Sequence, residues 1–166
     1  MNLNKIYLFM LFFLFTPLSF ALSSDAKQPI MIEADTATID DANGIAIYEG
    51  NVIVTQGSIR INAAKVTLRY TERQDLEKVV AEGNPAKFKQ TPDGKKPDLH
   101  ANSKRMEYLA NENMLHLTKQ AKLWQGDNTF TGDQVMYDTK KGIIRANKGS
   151  KKGSRVTVTI NPKNID

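Results

Sequence analysis

Cysteine is absent from all 166 residues. That single absence removes disulfides, thiolate nucleophiles and a lipid-modified N-terminal cysteine. Histidine is almost as scarce, with only His100 and His116. Both lie in alternating segments and read as exposed strand residues, because a catalytic base needs a cleft and a paired partner. Two histidines among scattered carboxylates give no metal-ligand spacing. Asp40-Asp41 and the Asp133/Asp138 pair read as turn acids, and no glycine-rich phosphate loop or activated nucleophile is present. The chain is therefore expected to be no enzyme and to need no cofactor or metal. It has no nucleic-acid-binding motif, and no segment sustains a helical period, apart from a turn or two expected near Glu72 to Glu77.

Long apolar runs are missing too, except at the start. Lys5 precedes an almost wholly apolar stretch from Ile6 to Phe15, Pro17 breaks it, and Ser19-Phe20-Ala21 offers a small-x-small cleavage pattern. The run is shorter than the ~20 residues of a spanning helix. Cleavage is expected after Ala21, which gives a signal over 1–21, a flexible lead over 22–28, one β domain over 29–161 and a C-terminal end over 162–166. A cysteine-free exported domain of this size fits a bacterial periplasm. Without Lys5 the 23 Lys plus Arg become 22, against 18 Asp plus Glu, a mild positive charge. The bases cluster at Lys87, Lys89, Lys95 and Lys96, at Lys104 and Arg105, at Lys140 and Lys141, and at Lys148, Lys151, Lys152 and Arg155. Such clusters suit either solvated turns and edge strands or an anionic ligand.

What the chain does have is alternation. From Tyr48 to Tyr70, apolar Val52, Val54, Ile59, Ile61, Ala64, Val66 and Leu68 alternate with polar neighbours, which gives a strand one apolar and one wet face. Gly50-Asn51 and Gln56-Gly57-Ser58 interrupt the pattern, so the stretch reads as three short antiparallel strands. Ile53 is out of phase. Upstream, Ile30, Ile32 and Ala34 share a face, and Asp40 to Gly44 is a turn. Downstream, Leu76 to Ala81 is a strand ending at Glu82-Gly83-Asn84-Pro85. Ala86 to Gln90 alternates again, before a loop from Thr91 to Pro97. Strands over 142–146 and 155–160 close the chain.

A weak repeat of about 70 residues also shows. Ala34 aligns with Ala101 and Ile39 with Met106. After two residues of slippage Tyr48 falls on Leu117, Val52 on Ala121, Val54 on Leu123, Gln56-Gly57 on Gln125-Gly126, Val66 on Val135 and Leu68 on Tyr137. The inward candidates are Ile30, Ile32, Tyr48, Val52, Val54, Ile59, Ile61, Phe88, Met106, Tyr108, Leu115, Leu117, Leu123 and Phe130. They form either an ordinary packed core or the lining of an apolar groove. Trp124, opposite in phase to Leu123, points outward.

The run from Gly50 to Ala63, GNVIVTQGSIRINA, closely resembles the signature of the OstA-like family of periplasmic lipopolysaccharide transport proteins. Gln28 to Asp35 looks like that family's first strand, Gly83 to Phe88 like its middle strand and Met106-Glu107-Tyr108 like a later one. The resemblance implies an all-β fold, an antiparallel jellyroll of short strands that is open-sided and V-shaped. It implies an interior that holds the acyl chains of lipopolysaccharide (lipid A), with Ile30, Ile32, Phe88, Met106 and Tyr108 the foremost contacts and rim lysines near the lipid phosphates. It also implies head-to-tail self-association and two partners, the inner-membrane jellyroll LptC and the outer-membrane LptD. The alternatives are a membrane-tethered jellyroll of the same pathway and a carbohydrate-binding or structural β-sandwich.

Overall fold

A computed structural model of the chain describes Asp25 and residues 28–92, 94, 96–149 and 154–161. The expected signal segment and the end over 162–166 lie outside the described residues. The ordered chain is an antiparallel meander: β1 (Met31–Glu33), β2 (Thr36–Asp40), β3 (Ile45–Gln56), β4 (Ile59–Tyr70), β5 (Leu76–Gln90), β6 (Leu99–Leu109), β7 (Met114–Gln125), β8 (Asn128–Asp138), β9 (Ile143–Asn147) and β10 (Thr157–Thr159). Strands β3 to β8 pair in sequence order. At one edge, β1 and β2 both pair with β3; at the other, β9 and β10 both pair with β8. The all-β, open-edged antiparallel expectation holds.

The strands are longer than the alternation alone suggests. Tyr48 to Tyr70 forms parts of two strands rather than three, because Gly50-Asn51 is a bulge within β3 rather than a turn. Likewise Gly83-Asn84-Pro85 does not stop a strand: β5 runs through it, and the Asn84–Pro85 peptide bond is cis. No helix forms at Glu72 to Glu77, where a polar turn hands directly into β5. Asp41–Asn43 makes a short 3-10 turn, capped by the Asp40 side chain and ended by Gly44 at φ 60°. Ile53 lies on the outer face, half-buried and opposite Glu33 and Asn62.

Register shifts fall between Glu49 and Val52, Asn62 and Lys65, Glu82 and Ala86, Asn102 and Arg105, and Thr118 and Ala121. An extra residue leaves the ladder unpaired and bends the strand. Since each shift lies beside the next, the bends line up as one crease that divides every long strand into two halves. Gly50 and Asn51 (φ 79° and 46°) and Lys119 and Gln120 (φ 63° and 61°) carry the left-handed backbone this needs. The crease folds the apolar face onto itself. Val52, Leu99 and Leu123 from one half and Val66, Leu68 and Leu117 from the other are buried in one cluster, and no second layer exists among the described residues to cover them.

The internal repeat has a cleaner form than the sequence alignment gave it. No slippage is needed, because a constant spacing holds. Tyr48 and Leu117 are 69 positions apart, and at that same spacing Ile32 corresponds to Ala101 and Ala37 to Met106, each opposite the matching residue of the next strand. The earlier pairing of Ala34 with Ala101 and Ile39 with Met106 is two residues out of step. On this basis β1 and β2 together are a β6 broken at the crease.

Candidate functional site

Three cross-strand rows run the width of the apolar face. The first passes through Ile39, Ala46, Leu68, Val79, Tyr108, Leu115, Tyr137 and Ile144. The second passes through Ala37, Tyr48, Val66, Ala81, Met106, Leu117, Val135 and Ala146. Beyond the crease, the third passes through Ile32, Val54, Ile61, Phe88, Ala101, Leu123, Phe130 and Val158. Directly opposed side chains in a sheet touch, so each row is a continuous apolar band from edge to edge.

The sequence-derived residues converge on this face. Val52, Val54, Phe88, Met106, Leu115, Leu117 and Leu123 are buried in its cluster, and Ile32, Tyr48, Ile59, Ile61, Tyr108 and Phe130 pack against it half-buried. Ile30 lies at the edge, 38% exposed. The centre is therefore packed rather than a standing trough, with even Phe88 only 8% exposed. Room lies at the ends. A hollow of about 610 Å³ opens beside β2 and the first halves of the rows, lined by Ile39, Ala46, Tyr48 and Tyr70 together with two polar turns, the one after β2 and the one at Thr71, Glu72 and Gln74. That size falls within the ~300–1,000 Å³ of ordinary ligand pockets. Burial, then the neighbouring Tyr48, pushes the Tyr70 hydroxyl above its usual pKa. Ile39, Ala37 and the hollow were not among the residues singled out; the period-two pattern of β2 was the signal available for them.

The outer face is polar and carries several ion pairs. Lys65 bridges Glu49 (2.9 Å), Lys78 bridges Glu107 (2.6 Å), Lys89 bridges Asp98 (2.8 Å), and Arg105 bridges Glu82 (2.8 Å), its partner on the β5–β6 ladder beside the crease. Trp124 does point outward, stacked on His100 with ring centres 5.1 Å apart and with the Lys122 ammonium 5.1 Å from its ring. Among the described residues, no group of three His, Asp or Glu side chains is placed to hold a metal.

What a face of this kind offers a ligand is length and dryness. The sequence profile of the family described as LptA/(LptD N-terminal domain) LPS transport protein matches residues 31–143. The lipopolysaccharide export system protein LptH of Pseudomonas aeruginosa is 40% identical over 140 residues, which span 84% of this chain and 79% of that one. The lipopolysaccharide export system protein LptA of Escherichia coli K12 is 37% identical over 148 residues, 89% of this chain and 78% of that one. The crystal structure of LptH, described as the LptA-homologous periplasmic component of the lipopolysaccharide transport device, superposes with a TM-score of 0.75 at 37% identity, covering 84% of this chain and 99% of that one. This chain belongs to the LptA/LptD N-terminal domain family of lipopolysaccharide transport proteins.

Proposed function

We propose that the chain is a non-enzymatic periplasmic component of lipopolysaccharide export, exported by a signal cleaved after Ala21, that carries the lipid with its acyl chains against the apolar rows. The observation that bears most on this reading is the continuity of the rows. They run unbroken from one open edge to the other, as a path for a lipid requires and a simple core does not. Acyl chains enter by the mouth at Ile39, Tyr48 and Tyr70 or by parting the two halves along the crease. Each methylene buried recovers about 0.8 kcal/mol, which offsets the contacts that part. Unpaired edges invite strand addition. On this reading copies stack head to tail, one end of the stack meeting the LptC jellyroll and the other the jellyroll of LptD, whose N-terminal domain shares this family.

The test is a photocrosslinker placed at Ile32, at Tyr48 and, as a control, at outward-facing Lys122, in cells making lipopolysaccharide. The expected result is glycolipid attached at Ile32 and Tyr48 and none at Lys122. Equal labelling at all three positions, or none, would overturn the reading. Ile32 suits the probe better than Phe88, because Phe88 is packed in the core and a charged or bulky replacement there threatens the fold itself.

A further inference from the structure

The bases of the outer face are unevenly placed, and the crease divides them. Before it, bases meet acids: Lys65 bridges Glu49, Lys78 bridges Glu107 and Arg105 bridges Glu82. Two outer rows lie beyond it. In one, Lys87 and Lys122 flank Asn102, with Asn62 and Thr131 outside them. In the other, Arg60, Lys89, His100 and Trp124 stand side by side. The one acid among the described residues of these two rows is Glu33, at the β1 end. Lys89 is held by Asp98 from the start of β6 (2.8 Å). Arg60, Lys87 and Lys122 are exposed, and among the described residues no carboxylate bridges them.

These bases stand among groups that bind sugars. Asn62, Asn102 and Thr131 offer amides and a hydroxyl between the charges. Trp124, half-buried, is stacked on His100 with the Lys122 ammonium beside its ring, and the part of the indole left open adds apolar contact. Neighbouring strands lie ~4.8 Å apart, so Lys87 and Lys122, with β6 between them, are rooted roughly 10 Å apart, close to one disaccharide repeat. A membrane surface is the poorer match, since it needs apolar groups to insert. The large apolar residues left exposed among the described residues, such as Met31, Ile39, Ile143 and Val158, lie in or beside the edge strands and not among these bases. Nor can the lipid cargo supply the sugar. Lys87 and Lys89 flank Phe88 along β5, and Lys122 and Trp124 flank Leu123 along β7, so the bases back onto the third apolar row. The sheet stands between them and any acyl chain lying there.

We propose that the outer face beyond the crease binds an acidic saccharide chain, and that this chain is the cell-wall glycan, whose peptide substituents carry carboxylates. Those carboxylates lie against Arg60, Lys87 and Lys122, while a sugar ring lies against Trp124 and bonds to Asn102. Opposite charge brings the two together, and the amides and the indole select a sugar over other polyanions. The site tethers the carrier to the wall it has to pass. The proposal goes beyond the transport reading and rests only on its periplasmic placement.

The test is co-sedimentation of the full chain with purified, protein-free wall sacculi. Wild type is expected in the pellet at about 0.05 M salt and largely in the supernatant at about 0.5 M. Arg60→Gln/Lys87→Gln/Lys122→Gln should bind about tenfold more weakly, because three exposed charge contacts are lost. Arg69→Gln/Lys140→Gln/Arg145→Gln removes the same charge from exposed positions elsewhere and should bind within about twofold of wild type. Trp124→Ala should bind sacculi several-fold more weakly, yet bind polyglutamate, an acid without sugar, as wild type does. Equal losses in the two triple variants overturn the site, as does a wild type that stays in the supernatant at low salt. Unchanged binding of Trp124→Ala to sacculi overturns the saccharide. Stronger retention on phosphatidylglycerol vesicles than on sacculi makes the partner a membrane and overturns the proposal. Displacement by the lipid-free saccharide of lipopolysaccharide at a lower concentration than by soluble wall fragments makes the source the cargo and overturns the assignment to the wall. Glycolipid labelling at Ile32 and Tyr48 should be unchanged in the first triple variant, so failure of this site and failure of the transport reading are told apart. Circular dichroism checks each variant's fold.

Discussion

The middle strands and the edge strands are built from the same pattern, yet they meet different fates. Leu117, in β7, is 0% exposed; Ile39, in β2, is 64% exposed. Both are large aliphatic residues of the inward phase, in adjacent rows of one face. What separates them is neighbours, since Leu117 has a strand on each side and the opposite half above it, whereas β2 has a strand on one side only. Burial in this fold is a property of place in the sheet. The middle provides stability, and the edges hold unspent apolar surface and unspent hydrogen-bonding groups.

The comparison breaks most visibly by truncating one residue of each kind. Leu117→Ala should cost about 2–5 kcal/mol, the range for deleting a buried leucine side chain. At about 2–4 °C per kcal/mol for a chain near this size, the thermal midpoint should fall by on the order of 10 °C. Ile39→Ala in dilute protein should stay within about 0.5 kcal/mol of wild type. Thermal melts followed by circular dichroism decide it, and comparable losses at the two sites would mean that the edge is covered in solution.

Two glycines sharpen the same contrast at the level of the backbone. Gly50 in the crease and Gly142 in the turn before β9 both sit at positive φ, 79° and 68°. A Cβ at Gly142 meets nothing within 4 Å, whereas one at Gly50 runs into the Asp35 side chain. Gly142→Ala should therefore cost only the left-handed strain, about 1 kcal/mol. Gly50→Ala should cost more, up to about 3 kcal/mol, and should loosen β1 as well, because the Asp35 N–H donates to the Gly50 carbonyl (3.0 Å). Denaturant midpoints and amide exchange of residues 31–35 measure both effects. Equal costs would show that the crease tolerates a side chain.

The sequence alone carried the strand character, the inward phase and the inward residues, because a period of two survives wherever one face is dry. It failed where the period is interrupted. Gly50-Asn51 and Gly83-Asn84-Pro85 have the composition of turns, and local composition cannot tell a turn that reverses a chain from a bulge that merely bends it. That difference is set by the partner strand, tens of residues away. The error split β3 and β5 and hid the crease, and the crease is what folds the apolar face shut. For the same reason the packed centre was not legible: alternation says which way Leu117 and Leu123 point, not what lies above them. The two-residue slip in the repeat came from reading identities at Ala34 and Ala101, where the structural match is between Ile32 and Ala101. The hollow at Ile39, Tyr48 and Tyr70 is made by a strand end and two turns, an arrangement no single segment encodes.

A pH-dependent effect concerns Asp25, which ties the lead segment to the end of the sheet. Its carboxylate accepts hydrogen bonds from the Ser58 backbone N–H (2.7 Å), the Ser58 hydroxyl (2.8 Å) and the Gln90 amide (3.1 Å). Burial alone would raise its pKa, but the bonds from Ser58 and then Gln90 outweigh it and leave the group below its ordinary value. A depressed carboxyl stabilises the folded state fully above its unfolded value of about 3.9 and loses that contribution as pH falls through the lower folded value. Asp25→Ala should therefore cost about 1–2 kcal/mol at pH 6, and the gap from wild type should close as pH falls below about 4. Asp138 and Glu107 are also depressed, the first chiefly by the Lys141 backbone N–H and the second chiefly by the Lys78 ammonium, so they titrate in the same acid range. For that reason the difference between the two proteins carries the result, not the wild-type curve. A gap that stays constant from pH 6 to pH 2.5 would show that Asp25 acts by its shape and not by its charge.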